Sequence, residues 1–151
     1  MSDSLTSITA RARCLLKDSA GLTWSEAEIG ECIHQALDDL NQAAVQAWSL
    51  AGLDGAAATD LPPGLASLLA RGAAAFALFM LAASRADLFN FQPGVCQAYT
   101  AAGSALLRQF QCGLSLLAQV RATELQSSAD APFPTEADEL PAGWRLEDDL
   151  G

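Results

Sequence analysis

Hydrophobic residues recur with a helical period along most of this chain, and each stripe predicts a helix. The first stripe lies near the N-terminus and consists of Leu5, Ile8, Ala12, Leu15 and Leu16. This spacing of three and four residues puts the apolar side chains on one helix face. Ser4 or Thr6 is suited to cap the start of this helix, and Gly21 is suited to end it.

The second helix has the clearest start signal in the sequence. Ser25 and Glu28 fit a capping box, with Trp24 and Ile29 as the hydrophobic staple around it. The stripe that follows consists of Ile29, Ile33, Ala36, Leu37, Leu40, Ala44, Ala47 and Trp48, and the opposite side carries Glu31, Asp38, Asp39, Gln42 and Gln46. We therefore predict an amphipathic helix from Glu26 to about Leu50 with an acidic outer face.

The third helix is predicted within residues 64–90, after a loop at 51–63 that holds two glycines and a Pro-Pro pair. Thirteen residues between Arg71 and Arg85 include no acid or amide. A helix that is apolar on every side lies in a core or in a membrane. At ~1.5 Å per residue this segment reaches only about 20 Å, so we expect a central core helix. Asp60 is its expected cap, and Gly72 predicts close approach by another backbone.

The last helix is predicted from about Val95 to Leu125. Its stripe is Tyr99, Gly103, Leu106, Phe110, Gly113, Leu117 and Val120. Beyond Gln126 the period is lost, which divides the chain into a helical domain, 1–126, and an acidic extended tail, 127–151. The tail keeps several large apolar residues, among them Phe133, Leu140, Trp144 and Leu146. They favour a tail that docks on a partner, with a solvated inert end as the alternative.

Composition supports an all-α, four-helix bundle-like domain. The 151 residues are 51% hydrophobic, and alanine and leucine, which favour helix, dominate. The net charge is −10, and residues 124–151 hold eight acids and one base. Non-specific nucleic-acid binding needs a basic face, and none is visible in the sequence. No secretory signal pattern opens the chain, so we expect a cytosolic protein that does not enter a membrane.

One pattern resembles a metal-binding motif. Glu31 and His34 form a Glu-x-x-His, the spacing found in di-iron carboxylate bundles. Such sites need further acids from facing helices, and the third and fourth predicted helices carry none between Leu65 and Arg85 or between Val95 and Ala122. We therefore interpret Glu31 and His34 as part of a solvated polar face and predict no metal and no cofactor.

Catalysis has little support in the sequence. His34 is the only histidine, so any Ser-His-Asp or Cys-His scheme would have to include it. Phosphate-loop, G-x-S-x-G and H-E-x-x-H motifs are missing. The four cysteines are Cys14, Cys32, Cys96 and Cys112, with no C-x-x-C pair. We predict buried thiols rather than disulfides or ligands, and a protein that is not an enzyme.

Residues 8–41 also resemble a known family. The segments are Arg13-Cys14-Leu15-Leu16-Lys17-Asp18, then Trp24-Ser25-Glu26-Ala27-Glu28-Ile29, then Ile33-His34-Gln35-Ala36. Together they resemble the head-to-tail adaptor (connector) proteins of tailed bacteriophages, in which a Leu-Leu-x-Asp-like turn precedes Trp-Ser/Thr-x-x-Glu-Leu/Ile. The resemblance extends over about residues 5–123. His34 departs from it, because that family has an Asn-like step there.

The resemblance implies a structural protein of the virion, made in the host cytoplasm and placed at the head–tail junction. It implies a homo-oligomeric ring, usually of twelve subunits, that binds the portal on one side and a tail or stopper protein on the other. DNA would pass through the lumen without sequence-specific binding, and Glu31, Asp38 and Asp39 are the acids we expect to face it. The alternative is a small cytosolic helical binding module, such as an assembly or secretion chaperone or a regulator.

Overall fold

The computed structural model describes residues 4–86 and 93–129 of the chain. These residues form four α-helices and a short 3₁₀ turn, with no strand among them. The helices are α1 (Leu5–Leu16), α2 (Glu26–Ala44), α3 (Ala66–Ala86) and α4 (Pro93–Ala129), and the 3₁₀ turn is Pro63–Leu65. The predicted all-α, bundle-like fold is confirmed.

The first helix begins where the sequence predicts it but ends earlier. Ser4 caps it by accepting a hydrogen bond from the Ser7 amide at 3.4 Å. Lys17, rather than Gly21, ends it by adopting a left-handed conformation with φ 55°. The amides of Lys17 and Asp18 then donate back to carbonyls of the last turn, which satisfies groups that a helix end leaves without partners. Leu15, predicted on the buried stripe, is 42% exposed.

The second helix confirms the capping box and corrects the predicted end. The Glu28 amide donates to Ser25 Oγ at 3.2 Å, and the Ser25 amide donates to Glu28 Oε2 at 2.7 Å. The helix ends at Ala44, not Leu50, because Val45 adopts φ 53°. Asn41 then holds the chain that follows: its side chain accepts from the Trp48 amide at 2.9 Å and donates to the Trp48 carbonyl at 3.0 Å.

Asp60, predicted to cap the third helix, instead stabilises the loop between α2 and α3. Asp60 does not cap the third helix, and no side chain caps the 3₁₀ turn that precedes it. Its carboxylate accepts hydrogen bonds from the Ser49 amide and from Ser49 Oγ. Asp60 therefore closes the loop on itself, and the helix start relies on Pro63 in the first turn.

The third helix is the centre of the bundle, because it contacts each of the other three helices more extensively than they contact one another. The segment Pro63–Arg85 is the one described helix long and apolar enough to cross a membrane, with a mean hydropathy of 1.9. This segment has 23 residues, more than the thirteen between Arg71 and Arg85. Contrary to our expectation, length alone therefore does not distinguish a core helix from a membrane-spanning helix. Burial favours the core, since 56% of its most apolar window is buried inside the protein.

The fourth helix packs along α3 through small residues and one large ring. A Cβ atom at Gly72 would lie 2.8 Å from the Phe110 ring, and one at Gly103 would lie 3.3 Å from the Leu78 side chain. Phe110 is fully buried and meets Phe76 edge to face, with ring centroids 6.1 Å apart. Gly72 is closely approached, but by the Phe110 side chain and not by another backbone as predicted.

The fourth helix also continues beyond the predicted end at Leu125. Residues 127–129 are its last residues, so this part of the predicted tail is helical. Every residue from 122 to 129 is exposed, so the end of α4 extends past the other helices.

Candidate interaction surfaces

The junction between α1 and α2 is built around a buried carboxylate. Asp18 is 7% exposed and accepts hydrogen bonds from the amides of Leu22 at 2.9 Å, Thr23 at 3.3 Å and Trp24 at 3.3 Å. Arg13 completes the unit: its Nη1 lies 3.2 Å from Asp18 Oδ2 and 3.0 Å from the Trp24 carbonyl oxygen. One acid and one base thus fix the turn that leads into the capping box.

Two opposing effects act on the pKa of Asp18. Burial raises it, whereas the amide hydrogen bonds from Leu22, Trp24 and Thr23 and the charge of Arg13 lower it. The net result is a pKa below the ordinary value of aspartate. Hydrogen bonds to the charged form favour that form, so the folded junction stabilises ionised Asp18.

Trp24 anchors this junction to the centre of the bundle. Its ring is 4% exposed, and the indole Nε1 donates to the Ala77 carbonyl oxygen of α3 at 3.1 Å. A buried indole N–H usually needs a partner, and here a residue 53 positions away supplies it. The residues that carry the family resemblance, Arg13, Asp18 and Trp24, therefore form one connected unit.

The three acids predicted to face a lumen do not share one environment. Glu31 and Asp38 are exposed, and they lie seven residues apart on nearly the same side of α2. Asp39 is only half exposed, about 100° around the helix from Asp38. Burial, and then the charge of Asp38, raise the pKa of Asp39. Only Glu31 and Asp38 form an outward-facing acidic pair.

His34 connects the acidic face of α2 to the loop after it. Its Nε2 lies 2.8 Å from Asp54 Oδ2, and its Nδ1 lies 3.8 Å from Asp38 Oδ2. Asp54 has a left-handed backbone, φ 51°, in the loop between α2 and α3. Glu31 is not among these contacts, and the described residues hold no group of three or more His, Cys, Asp or Glu placed to bind a metal.

All four cysteines are free, but only part of the burial prediction holds. Cys32 is buried, and burial followed by the charges of Glu28 and Glu31 raises its pKa to about 11. Such a thiol stays protonated and is a poor nucleophile at neutral pH. Cys96 is half-buried, with Sγ 3.7 Å from the Ala82 carbonyl oxygen. Cys14 and Cys112 are exposed, contrary to the prediction, because they lie off the buried faces of α1 and α4.

A second, uncharged stripe runs along α4 outside the core, and we call it the outer stripe. It includes Val120, which was predicted on the buried stripe but is 56% exposed. It lies about a quarter turn around the helix from the buried stripe. All of its residues are exposed and none is charged: Val95, Ala98, Ala102, Ala105, Gln109, Cys112, Leu116, Val120, Thr123 and Ser127. From Val95 to Leu116 the spacing alternates strictly between three and four residues. The sequence already contained this signal, but the buried stripe, with the larger side chains, obscured it.

The remaining predicted site residues, Phe133, Leu140, Trp144 and Leu146, lie outside the described residues. Their role as a partner-docking tail stays a prediction.

No protein-family model, curated protein or solved structure matches this chain. The functional argument therefore rests on the residues and contacts of the chain itself.

Proposed function

We propose that this protein is a structural head-to-tail adaptor of a tailed bacteriophage, forming a ring between the portal and the tail or stopper protein. The observation that carries the proposal is the Arg13–Asp18–Trp24 unit. Two of the three sequence segments that resemble the adaptor family, 13–18 and 24–29, meet in one hydrogen-bonded junction. The resemblance therefore involves residues that determine how two helices meet, and not only a helix cap of a common type.

The junction suits a subunit that must keep its shape in an assembly. Arg13 and Asp18 hold the turn, and the indole of Trp24 ties it to Ala77 of α3. Together these bonds set the positions of α1 and α2 relative to the central helix. A rigid subunit loses less conformational entropy on association than a mobile one.

The acidic side of α2 is the proposed lumen wall. Glu31 and Asp38 are exposed and repel phosphate, so DNA passing close to them would slide without binding. Asp39 contributes less, because its carboxylate is half-buried. In this proposal the chain binds no cofactor and catalyses no reaction.

The acidic tail is the proposed contact with a neighbouring subunit or with the portal. The large apolar residues Phe133, Leu140, Trp144 and Leu146 would supply the anchors, since a buried aromatic often dominates an interface. The last described residues of α4, up to Ala129, are exposed. Deleting residues 130–151 should weaken portal binding and leave the melting of the helical domain nearly unchanged. Undiminished portal binding by the deleted protein would contradict this role.

The adaptor proposal is tested by mixing the purified chain with the portal protein from the same genome. Electron microscopy and native mass spectrometry should detect a ring of about twelve copies seated on the portal, as in the family it resembles. A Glu31→Lys, Asp38→Lys variant should still form rings but retain DNA in the lumen at low salt, since two repulsive charges become attractive. A chain that never associates with portal, alone or in excess, would refute the proposal.

A second candidate function, a cytosolic helical binding module, is favoured by the outer stripe of α4. An exposed face with no charge from Val95 to Ser127 is suited to a partner helix. Co-purification with a non-virion protein, together with absence from purified particles, would favour this function over the adaptor.

A further inference from the structure

We infer that α2 has two alternative ends, of which the structure shows the shorter. In the second form α2 continues without a break through Val45 to Leu50, and the side chain of Asn41 is the main group that prevents this. The exchange between the two forms is a conformational switch within the subunit, whether or not the subunit joins a ring.

Val45 is poorly suited to the conformation that ends α2. Its backbone is left-handed, with φ 53°, a region in which the Cβ atom of an L-residue crowds the backbone and a β-branched residue is rarely found. Lys17 ends α1 in the same conformation, but lysine is not branched at Cβ. The Val45 side chain is 71% exposed, so packing does not compensate for the strain. Groups outside Val45 therefore hold this helix end in place.

The residues after Val45 are suited to a longer helix. Residues 45–51 include no glycine and no proline, and Ala47 and Trp48 continue the apolar stripe of α2 at helical spacing. The first glycine is Gly52, which already has a positive φ of 91°. A glycine just beyond the last turn is a common way to end a helix. The local sequence thus favours an end near Leu50.

Asn41 holds the chain in the shorter form. Its Oδ1 accepts from the Trp48 amide at 2.9 Å, and its Nδ2 donates to the Trp48 carbonyl oxygen at 3.0 Å. In a continuous helix the Trp48 amide would instead donate to the carbonyl oxygen of Ala44. Two further amides of the segment donate to side-chain oxygens of the loop: Ser49 to Asp60, and Ala51 to Thr59. Side chains thus replace the backbone partners that a helix would supply.

The fourth helix runs beside the path that the longer α2 would take. Trp24, just before α2, and Gly103, in the first third of α4, both lie against residues 77–79 of α3. The later parts of α2 and α4 also meet, so the two helices run in the same direction. They line a notch of about 140 Å³, with Ala44, Gln46 and Trp48 on one side and Leu117, Val120, Arg121 and Glu124 on the other.

The end of α4 leaves room for the longer helix. Every residue of α4 from 122 to 129, beyond the notch, is exposed. Six more residues lengthen α2 by about 9 Å alongside this part of α4. The longer form therefore covers surface of α4 that the shorter form leaves in contact with solvent.

Leu50 keeps the shorter form dominant. Its side chain is 1% exposed, and a helix that continues to Leu50 takes it out of its present place in the core. This burial and the Asn41 hydrogen bonds favour the shorter form, whereas the strain at Val45 favours the longer one. A minor form is typically populated at roughly 0.1–10%, and we expect about 1% here. A partner that binds only the longer helix would shift the balance toward it.

The longer helix is tested with a zinc-binding pair placed across Val45. Two histidines four residues apart bind zinc together when they lie on one helix face. Gln42 and Gln46 are exposed and have this spacing, so Gln42→His, Gln46→His creates such a pair in the longer form. The full chain is used in a Cys14→Ser, Cys112→Ser background, which removes the exposed thiols. Zinc should move the NMR Cα shifts of residues 45–50 to helical values; if these shifts stay unchanged, α2 has one end.

The matched control is Gln111→His, Ser115→His, in which both positions are exposed and lie within the continuous helix α4. Zinc affinity is measured by calorimetry, with the unmodified background subtracted. A site that exists only in a minor form binds more weakly by the fraction of that form, so the pair across Val45 should bind about a hundredfold more weakly than the control. Equal affinity of the two pairs would contradict a minor longer form.

Two substitutions added to the pair across Val45 should act in opposite directions. Asn41→Ala removes two hydrogen bonds of the shorter form, so zinc should bind about tenfold more tightly. Val45→Gly relieves the left-handed strain and disfavours a helix, so zinc should bind about tenfold more weakly. Unchanged affinity in Val45→Gly would refute the role of strain. Tighter binding in Asn41→Ala without helical shifts at residues 45–50 would indicate a loosened loop and would refute the longer helix.

These results do not depend on the portal. Portal rings from a chain whose residues 45–50 never become helical would refute the two ends of α2 alone. The expected zinc response in a chain that never binds portal would refute the adaptor alone.

Discussion

Among the glycines of α3 and α4, Gly72 and Gly113 are the two at which an added Cβ atom would lie closest to a side chain of the other helix. Alanine substitutions there test whether that side chain can move. A Cβ atom at Gly72 would lie 2.8 to 2.9 Å from three atoms of the Phe110 ring. At Gly113 it would lie even closer to Leu68 Cδ1, and 2.9 Å from Cδ2. Distance alone would make Gly113→Ala the more damaging change. We expect the reverse.

The reason is the freedom of the opposing side chain. Phe110 is fully buried and packs edge to face against Phe76, so its ring cannot shift without disturbing the core. Leu68 is half exposed and its methyl groups can rotate toward solvent. Overpacking against a fixed group costs about 1–3 kcal/mol, whereas alanine in place of glycine inside a helix gains about 1 kcal/mol. Gly72→Ala should therefore destabilise the fold by roughly 1 kcal/mol, and Gly113→Ala should be near neutral.

Gly30 provides the matched control, since it lies inside α2 and a Cβ atom there would have no neighbour within 4 Å. Gly30→Ala should stabilise the protein by about 0.5–1 kcal/mol. Urea unfolding followed by circular dichroism measures all three variants. With a slope near 2 kcal/mol per molar, a change of about 1 kcal/mol moves the midpoint by about 0.5 M. If Gly72→Ala raised the urea midpoint as much as Gly30→Ala does, the conclusion that the Phe110 ring cannot move aside would be wrong.

Three further predictions concern the junction between α1 and α2. Ser25→Ala should lower the free energy of unfolding by about 1 kcal/mol, because the Glu28 amide loses its acceptor; an unchanged urea midpoint would contradict this. Trp24→Phe keeps most of the buried ring but leaves the Ala77 carbonyl without the indole donor, so we expect a loss of about 1 kcal/mol in the same assay. Because the folded pKa of Asp18 is lowered, its stabilising effect should be complete above the unfolded pKa of about 3.9 and disappear as pH falls through the folded value. Asp18→Asn should flatten that part of the profile of melting temperature against pH, and an unchanged profile would show that Asp18 does not contribute.

Local signals in the sequence were enough to determine the four helices and the starts of α1 and α2. The capping box at Ser25 and Glu28 involves residues three positions apart, so the chain needs no distant partner to form it. The same holds for the stripe of α2 up to Ala44 and for the composition of α3. The need for glycine at position 72 was also visible, because a glycine inside a helix requires a reason.

The tertiary structure decided the features that depend on distant groups. Trp24 reaches Ala77 across 53 positions, and Asp60 pairs with Ser49 instead of capping α3. The helical pattern continued past Ala44 in the sequence, but the side chain of Asn41 pairs with the Trp48 backbone and stabilises an earlier end. Periodicity on α4 marked one stripe for burial, from Tyr99 to Val120. Packing decided how much of it enters the core: Phe110 is fully buried beside Gly72, whereas Val120 is 56% exposed.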